Sequence, residues 1–310
     1  MGRVLLPFEF YEPESVAEAI DLARRHSAPF IMGGCTLVPS LRRRQRREPC
    51  LVSLARIPGL DDFSIHPRTG MRLGAKVVAS ALLPHIWAGK RFAALHEACE
   101  QLYPPHIGNM GSIVGNLCSG VPYFDLPTAA MALDAELHVT GQGGDRVVKL
   151  EDFYTAKFQT VLSRGEVVTQ VFCPPHKADS GSSFKKIYRS RRTIDDLHKL
   201  NAAAMVTLDE DRARIIDARV VLGSWSFRPH RYRAAEAVLV GEAPNFDLFE
   251  QAADAVLAEL DPVTDLAWVE KTRFAQCRVL LRDTIAQAAS RAKSRHDPFE
   301  DAAEILEDAS

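Results

Sequence analysis

The sequence has no long apolar run. Stretches such as Ala202–Leu208 fall far short of the ~20 residues that span a bilayer. The opening MGRVLLPFEF is broken by Pro7 and Glu9 and lacks the apolar core and small-residue cleavage site of a signal peptide, so a cytoplasmic protein is expected. Charge of one sign is not in excess: 38 Lys+Arg against 40 Asp+Glu give a formal net charge of -2. Bulk charge therefore gives no pull towards nucleic acid or an anionic membrane. The six cysteines, Cys35, Cys50, Cys99, Cys118, Cys173 and Cys277, are scattered, which excludes a CxxC knuckle or a clustered iron–sulfur run. In a reducing compartment such thiols are small core residues; Cys35 and Cys118 stand apart because of their neighbours. HExxH, GxSxG, a Gly-Lys-Ser/Thr P-loop and the three-glycine dinucleotide fingerprint are all missing.

What is present is the balance of a packed protein, 46% hydrophobic and 25% charged, in a chain whose 310 residues suggest about two domains. Val16, Ala19, Ile20 and Ala23 recur at helical spacing after Pro13, which is read as a first helical position, and Arg24, Arg25 and His26 load the end with positive charge. Phe30-Ile31-Met32 reads as a short strand and Thr36–Leu41 as the next helix. Leu51–Leu54 and Met71–Gly74 read as strands, and Ala79–His85 and Ala93–Leu102 as helices. Glu136–Thr140 and Arg146–Leu150 flank a glycine-bearing hairpin turn, and Val167–Cys173 is a strand. The small polar stretch Lys177–Ser183 reads as a linker. Beyond it, Ala202–Leu208 and Ile215–Leu222 form an antiparallel pair, followed by helices over Ala234–Val240, Phe246–Leu260 and Val269–Ala289. Strands followed by a run of helices make an α+β domain. An acidic tail, read as a loose helix or disordered, closes the chain.

Three places offer chemistry. In Phe30-Ile31-Met32-Gly33-Gly34-Cys35-Thr36-Leu37, a strand ends in glycines and opens a helix. This is either a plain tight turn or a cradle of backbone N–H groups for a phosphate or pyrophosphate. His106–Gly120 carries Gly108, Gly111, Gly115 and Gly120 among Asn109, Ser112, Asn116 and Ser119. Glycine costs a helix about 1 kcal/mol relative to alanine, so a folded loop is expected, either structural or wrapped around a polar cofactor. Asp125 is read as the N-cap of the following helix, as a carboxylate accepting ribose hydroxyls, or as both. The run Arg42–Arg47, with five arginines in six positions, is a solvated helix end, a docking face for an acidic partner, or a phosphate site. A second basic cluster, Lys185-Lys186 with Arg189–Arg192, is placed to reach an anionic cofactor between domains.

Taken together the two loops resemble a known family. Met32-Gly33-Gly34-Cys35-Thr36 is similar to its Ala-Gly-Gly-His-Ser loop. Gly111-Ser112-Ile113-Val114-Gly115-Asn116-Leu117, then Asp125-Leu126-Pro127 and Ala132-Leu133-Asp134-Ala135, are similar to its Gly-Thr-Ile-Gly-Gly-Asn-Leu, Asp-Leu-Pro and Ala-Leu-Asp-Ala signatures. The family is the FAD-binding medium subunit of molybdenum hydroxylases, including the flavoproteins of carbon monoxide dehydrogenase, 4-hydroxybenzoyl-CoA reductase and xanthine dehydrogenase. The similarity continues through Arg191-Arg192, Asp195-Asp196, Asn201-Ala202-Ala203, Leu222-Gly223-Ser224, Pro229 and Ala235-Glu236-Ala237.

The resemblance implies an α+β fold: a two-subdomain, p-cresol methylhydroxylase-like FAD-binding domain over residues 1–176, divided near 55–60. A C-terminal flavoprotein domain over 183–289 follows, with a small antiparallel sheet and helices, and then a tail over 290–310. It implies FAD held by Phe30, Ile31, Met32, Gly33, Gly34, Cys35, Thr36 and Leu37 around the pyrophosphate. Gly111, Ser112, Ile113, Val114, Gly115 and Asn116 would wrap the flavin, and Asp125 would take the ribose. Leu102, Ile107, Val167 and Val168 would pack near the cofactor, with Lys186 near the flavin ring. Cys35 stands where the family commonly has His, so non-covalent FAD is expected; Val114 stands for a Gly, and Tyr123-Phe124 fill a region usually small. Gly120 runs directly into Val121–Asp125, so the cysteine-rich cluster insertion of the 4-hydroxybenzoyl-CoA reductase branch is absent. Flavin supplies the redox chemistry, so no catalytic residue and no metal ligand is assigned to this chain. The implied partners are a [2Fe-2S] small subunit and a molybdopterin large subunit, in a dimer of heterotrimers, with an external electron acceptor. A stand-alone flavin oxidase and a scaffold with a vestigial FAD site are the competing readings.

Overall fold

The computed structural model describes residues 4–102, 104–187, 200–260 and 271–294. The motif residues Arg191-Arg192 and Asp195-Asp196 and most of the expected tail lie outside them. Three short strands open the chain: β1 (Glu9–Tyr11), β2 (Phe30–Ile31) and β3 (Cys50–Ser53), with α1 (Val16–Arg25) and α2 (Leu37–Arg42) between them. They form a parallel sheet in the order β1-β3-β2. Helix α1 starts later than Pro13 suggested. Ser15 Oγ accepts the Glu18 N–H at 3.2 Å and sets the N-cap there, which leaves Pro13 outside the helix. Ala19, Ile20 and Ala23 are buried, as their spacing requires.

The second unit is a five-stranded sheet, β4 (Phe63–His66), β5 (Gly70–Gly74), β6 (Glu136–Gly141), β7 (Gly144–Lys149) and β10 (Val167–Cys173), in the order β4-β5-β10-β6-β7 with every pairing antiparallel. A small hairpin, β8 (Tyr154–Ala156) and β9 (Gln159–Thr160), sits outside it. Between β5 and β6 run α3 (Ile86–Arg91), α4 (Ala93–Glu100), α5 (Pro105–Met110), α6 (Ile113–Cys118) and α7 (Asp125–Ala132). Two expectations are corrected. Residues 79–85 hold only a single 3-10 turn, Ala79–Leu82, before α3 begins. The glycine-rich stretch is not a loop but two helices of six residues each. Glycine shortened the helices rather than abolishing them: Pro105 starts α5, the chain breaks at Gly111, and Ser112 Oγ caps α6 by accepting the Gly115 N–H at 3.0 Å.

The third unit is an antiparallel sheet, β11 (Ser180–Ile187), β12 (Leu200–Leu208), β13 (Ile215–Gly223) and β14 (His230–Arg231), followed by α8 (Arg233–Leu239), α9 (Phe246–Glu259) and α10 (Lys271–Lys293). All nine residues of β12 are buried, because α10 covers one face of the sheet and α4 with α7 cover the other. The stretch read as a linker is half strand. Ser182 Oγ accepts the Ala94 N–H at 3.1 Å, Ser183 Oγ donates to the Thr284 carbonyl at 2.7 Å, and both serines are buried. Small polar residues look like a linker in sequence; here they let two helices approach one strand. Helix α10 also passes residue 289 and runs to Lys293.

The junction between units is polar as well as apolar. Phe184, Ala203, Met205 and Val221 of the third sheet belong to the core of the first two units. Asp134 receives Arg219 at 2.6 Å and Arg231 at 3.0 Å, and Arg231 is held in turn by Glu236 at 2.6 Å. His176 packs its ring against Phe92, with centroids 5.5 Å apart. Burial, then the charges of Arg219 and Arg91, hold its pKa down to about 3 from 6.5. The unfolded chain therefore takes up a proton that the folded chain refuses. This contribution to stability is complete above the unfolded pKa of 6.5 and is lost as pH falls towards 3. Replacing His176→Leu is expected to flatten the acid limb: between about pH 7 and about pH 5 the thermal midpoint of the variant falls less than that of the wild type. Thermal unfolding across that range checks it, and parallel curves would refute it.

Candidate functional site

The first loop leaves β2 at Ile31 and enters α2 at Leu37. The second runs through α5 and α6, from the other subdomain. They touch at one point. A Cβ built on Gly33 would lie 1.7 Å from the Met110 carbonyl oxygen, so only glycine allows the two backbones to come this close. Cys35 sits beside the contact, its thiol donating weakly to the Gly33 carbonyl at 3.7 Å. Around this meeting lies a cavity of about 1350 Å³, larger than the 300–1,000 Å³ usual for small-ligand sites.

The cavity gathers nearly all the residues singled out from the sequence. Phe30, Ile31, Met32, Gly33, Gly34, Cys35, Thr36 and Leu37 line it from the first subdomain; Leu102, Ile107, Gly111, Ser112, Val114, Gly115, Asn116, Asp125, Val167 and Val168 line it from the second. Lys186 reaches it from β11. Ile113 does not line it; the residue is fully buried in the core, with its amide donating to Val77 O at 2.9 Å. The two cysteines set apart by their neighbours, Cys35 and Cys118, both line the cavity, whereas Cys50, Cys99, Cys173 and Cys277 are buried. Burial pushes the Cys118 thiol up to about 12, and desolvation raises Cys35 as well, so both are neutral thiols rather than nucleophiles. Of the arginine run, Arg46 lines the cavity and pairs with Glu48 at 2.8 Å, while Arg44 donates to the Val4 carbonyl at 2.9 Å.

Asp125 is not the N-cap of α7. It is the first helical residue, Phe124 takes the cap position, and no side chain caps the helix. Its carboxylate is buried and turned to the third unit instead. Oδ2 accepts Lys186 Nζ at 2.5 Å and Oδ1 accepts Asn201 Nδ2 at 2.9 Å. Lys186 Nζ donates also to the Gln101 carbonyl at 2.8 Å. Sequence reading missed Gln101, Asn201 and Thr128 as neighbours of the site, because nothing along the chain marks a strand 61 or more residues away as a wall of the cavity. Tyr123 and Phe124, noted as unusually large, line the cavity with their rings edge to face at 6.0 Å.

The donor set fits a large, anionic, polar cofactor. Among the described residues, the amides of Gly33, Gly34, Cys35 and Thr36 donate to no protein acceptor, leaving several N–H groups at one spot for negative charge. The buried side-chain oxygen of Asn116 is likewise without a hydrogen-bond partner, although a buried acceptor is costly to leave unmade. The described residues hold no group of three His, Cys, Asp or Glu able to bind a metal ion. No helix among them is long and apolar enough to cross a membrane.

Comparison with known proteins places this geometry. Residues 6–176 match the family described as the FAD binding domain in molybdopterin dehydrogenase, and residues 183–298 match the CO dehydrogenase flavoprotein C-terminal domain. The chain is 27% identical to the carbon monoxide dehydrogenase medium chain of Afipia carboxidovorans, over 93% of this chain and 98% of the relative. It is 30% identical to the 6-hydroxypseudooxynicotine dehydrogenase complex subunit alpha of Paenarthrobacter nicotinovorans, over 92% and 96%. Among solved structures, a carbon monoxide dehydrogenase from Hydrogenophaga pseudoflava superposes with a TM-score of 0.85 at 26% identity, covering 93% of this chain and 99% of that one. This chain therefore belongs to the FAD-binding medium subunits of the molybdenum hydroxylase oxidoreductases.

Proposed function

We propose that this chain holds FAD non-covalently in the cavity between its two N-terminal subdomains. There it relays electrons from a [2Fe-2S] partner subunit, itself fed by a molybdopterin large subunit, to an external acceptor. The observation that carries this reading is the convergence of the two loops at Gly33 and Met110 around a cavity rich in unsatisfied amides. The likeness to medium chains along the whole length supports it. FAD, when bound, supplies the ability to take and give electrons singly or in pairs; the protein supplies position and electrostatics.

In this proposal the amides of Gly33, Gly34, Cys35 and Thr36 bind the diphosphate and neutralise part of its charge. The second loop encloses the nucleotide, with Asn116 Oδ1 accepting a hydrogen bond from it. Val114, Val167, Val168, Leu102 and Ile107 exclude water from its apolar surface. The Asp125 oxygens keep lone pairs beyond those used by Lys186 and Asn201, and these serve ribose hydroxyls; Lys186 places a positive charge at the same end. No group in the cavity is built as a proton-transfer catalyst, which suits a relay. The cytoplasm, a dimer of heterotrimers, and placement of the molybdopterin and [2Fe-2S] groups on partner chains complete the proposal. The stand-alone oxidase is less well supported, since the third unit is a single sheet with its helices and offers no second cavity among the described residues that is continuous with the first.

Three outcomes test it. Removing FAD from the assembled complex is expected to leave reduction of the molybdenum and iron–sulfur centres by substrate intact while abolishing turnover with the external acceptor; stopped-flow spectra read both, and undiminished turnover would end the relay proposal. Gly33→Ala, whose new methyl meets the Met110 carbonyl, is expected to raise the dissociation constant for FAD at least about tenfold, as read by quenching of flavin fluorescence on titration. Acid precipitation of the wild type is expected to release all flavin into the supernatant, with flavin content unchanged in Cys35→Ser; flavin that stays in the pellet would show a covalent link.

A further inference from the structure

A fully buried chain of hydrogen bonds runs behind Asp125, away from the cavity. Asn201, on β12, donates from Nδ2 to Asp125 Oδ1 at 2.9 Å and to the Phe124 carbonyl at 3.2 Å. Its other end, Oδ1, accepts the hydroxyl of Thr128 at 2.9 Å. Asn201 and Thr128 are both 0% exposed. An amide side chain turned by half a revolution would present oxygen to the Asp125 carboxylate, an acceptor facing an acceptor. The Thr128 hydroxyl, one helical turn from Asp125 on α7, fixes which end faces it. Across the sheet, Gly223 pairs with Asn201, and a Cβ there would lie 2.1 Å from both Asn201 Oδ1 and Thr128 Oγ1. The strand beside Asn201 is therefore kept bare so that this pair can form.

Resting on the FAD reading above, we propose that Asn201, oriented by Thr128, is a positioning residue of the nucleotide site: it holds the Asp125 carboxylate at the cavity wall, and so makes the C-terminal sheet part of the FAD site. Neither Asn201 nor Thr128 lines the cavity, so both act through Asp125. Lys186 grips the second oxygen of the same carboxylate from β11. Two strands of one sheet thus fix both oxygens of a carboxylate that belongs to another unit, and a shift of the sheet would move it.

The test separates hydrogen bonding from packing. Thr128→Val keeps the shape and removes the hydroxyl; Thr128→Ser keeps the hydroxyl and removes a methyl. A packing role predicts that valine is tolerated and serine is not. Positioning predicts the reverse. The full chain, stripped of flavin, is titrated with FAD, and the dissociation constant and the positions of the bound flavin's absorption bands are recorded, with apo-protein thermal midpoints as the control for folding. Thr128→Val is expected to raise the dissociation constant about tenfold and to shift the bands, with Thr128→Ser within about threefold of wild type and its bands unmoved. Asn201→Asp, which keeps the shape but loses the donor, is expected to weaken FAD at least as much as Thr128→Val. Wild-type affinity in Thr128→Val, or a loss in Thr128→Ser equal to that in Thr128→Val, overturns the proposal. Failure of the wild-type chain to bind FAD at all would overturn the underlying reading instead.

Discussion

One backbone contact organises the molecule: Gly33 lies against the carbonyl of Met110. It joins a loop from a parallel three-stranded sheet to a helical break from an antiparallel five-stranded one. A side chain at position 33 would push these apart, and the cavity exists only while they touch. The free amides of the first loop, the capped start of α6 at Ser112 and the orphaned oxygen of Asn116 all take their places from this contact. None of these groups is strong alone. Their common direction gives the site its preference for a bulky anion.

The opposite wall is fixed by a different force. Asp125 and Lys186 are both buried at side-chain exposures of 5% and 4%, where leaving either charge unpaired would be costly. Each finds the other across the boundary between units, and Gln101 and Asn201 satisfy further bonding capacity. The third sheet is thereby tied to the cavity by charge as well as by the apolar residues it shares with the first core. The Asp134 cluster with Arg219 and Arg231 fastens a second point of the same boundary. A medium subunit built this way carries a site whose walls come from all three units.

Local signals in the sequence held wherever one residue's physics decided the outcome. The apolar spacing of Ala19, Ile20 and Ala23 marked the buried face of α1; the strand Val167–Cys173 and the hairpin on either side of the Gly141–Gly144 turn were placed by alternation and glycine. Reading failed where a neighbour distant in sequence overrode the local cue. Ser180–Ser183 looked like a linker because its residues are small and polar, yet small side chains were what α4 and α10 needed in order to pack on β11. The glycines of His106–Gly120 were weighed against one continuous helix, but two short helices tolerate them, since neither has to run through Gly111. Asp125 looked like a helix cap because it precedes a helical pattern; the pull of Lys186 and Asn201 turned its carboxylate elsewhere.

The sequence by itself determined the class of the protein. The two glycine-bearing motifs, the Asp-Leu-Pro signature and the absence of clustered cysteines pointed to an FAD-binding flavoprotein subunit, because backbone approach, helix breaks and thiol spacing are encoded within a few residues of one another. Only the tertiary structure decided which groups face one another. That Gly33 meets Met110, that Ile113 turns into the core while its neighbours line the cavity, and that Asn201 and Thr128 stand behind Asp125 depend on the crossing of sheets from three units. The physical reason is range: propensity and capping act over a turn or two of chain, whereas the fate of a buried polar group is set by whichever partner the fold brings within hydrogen-bond distance.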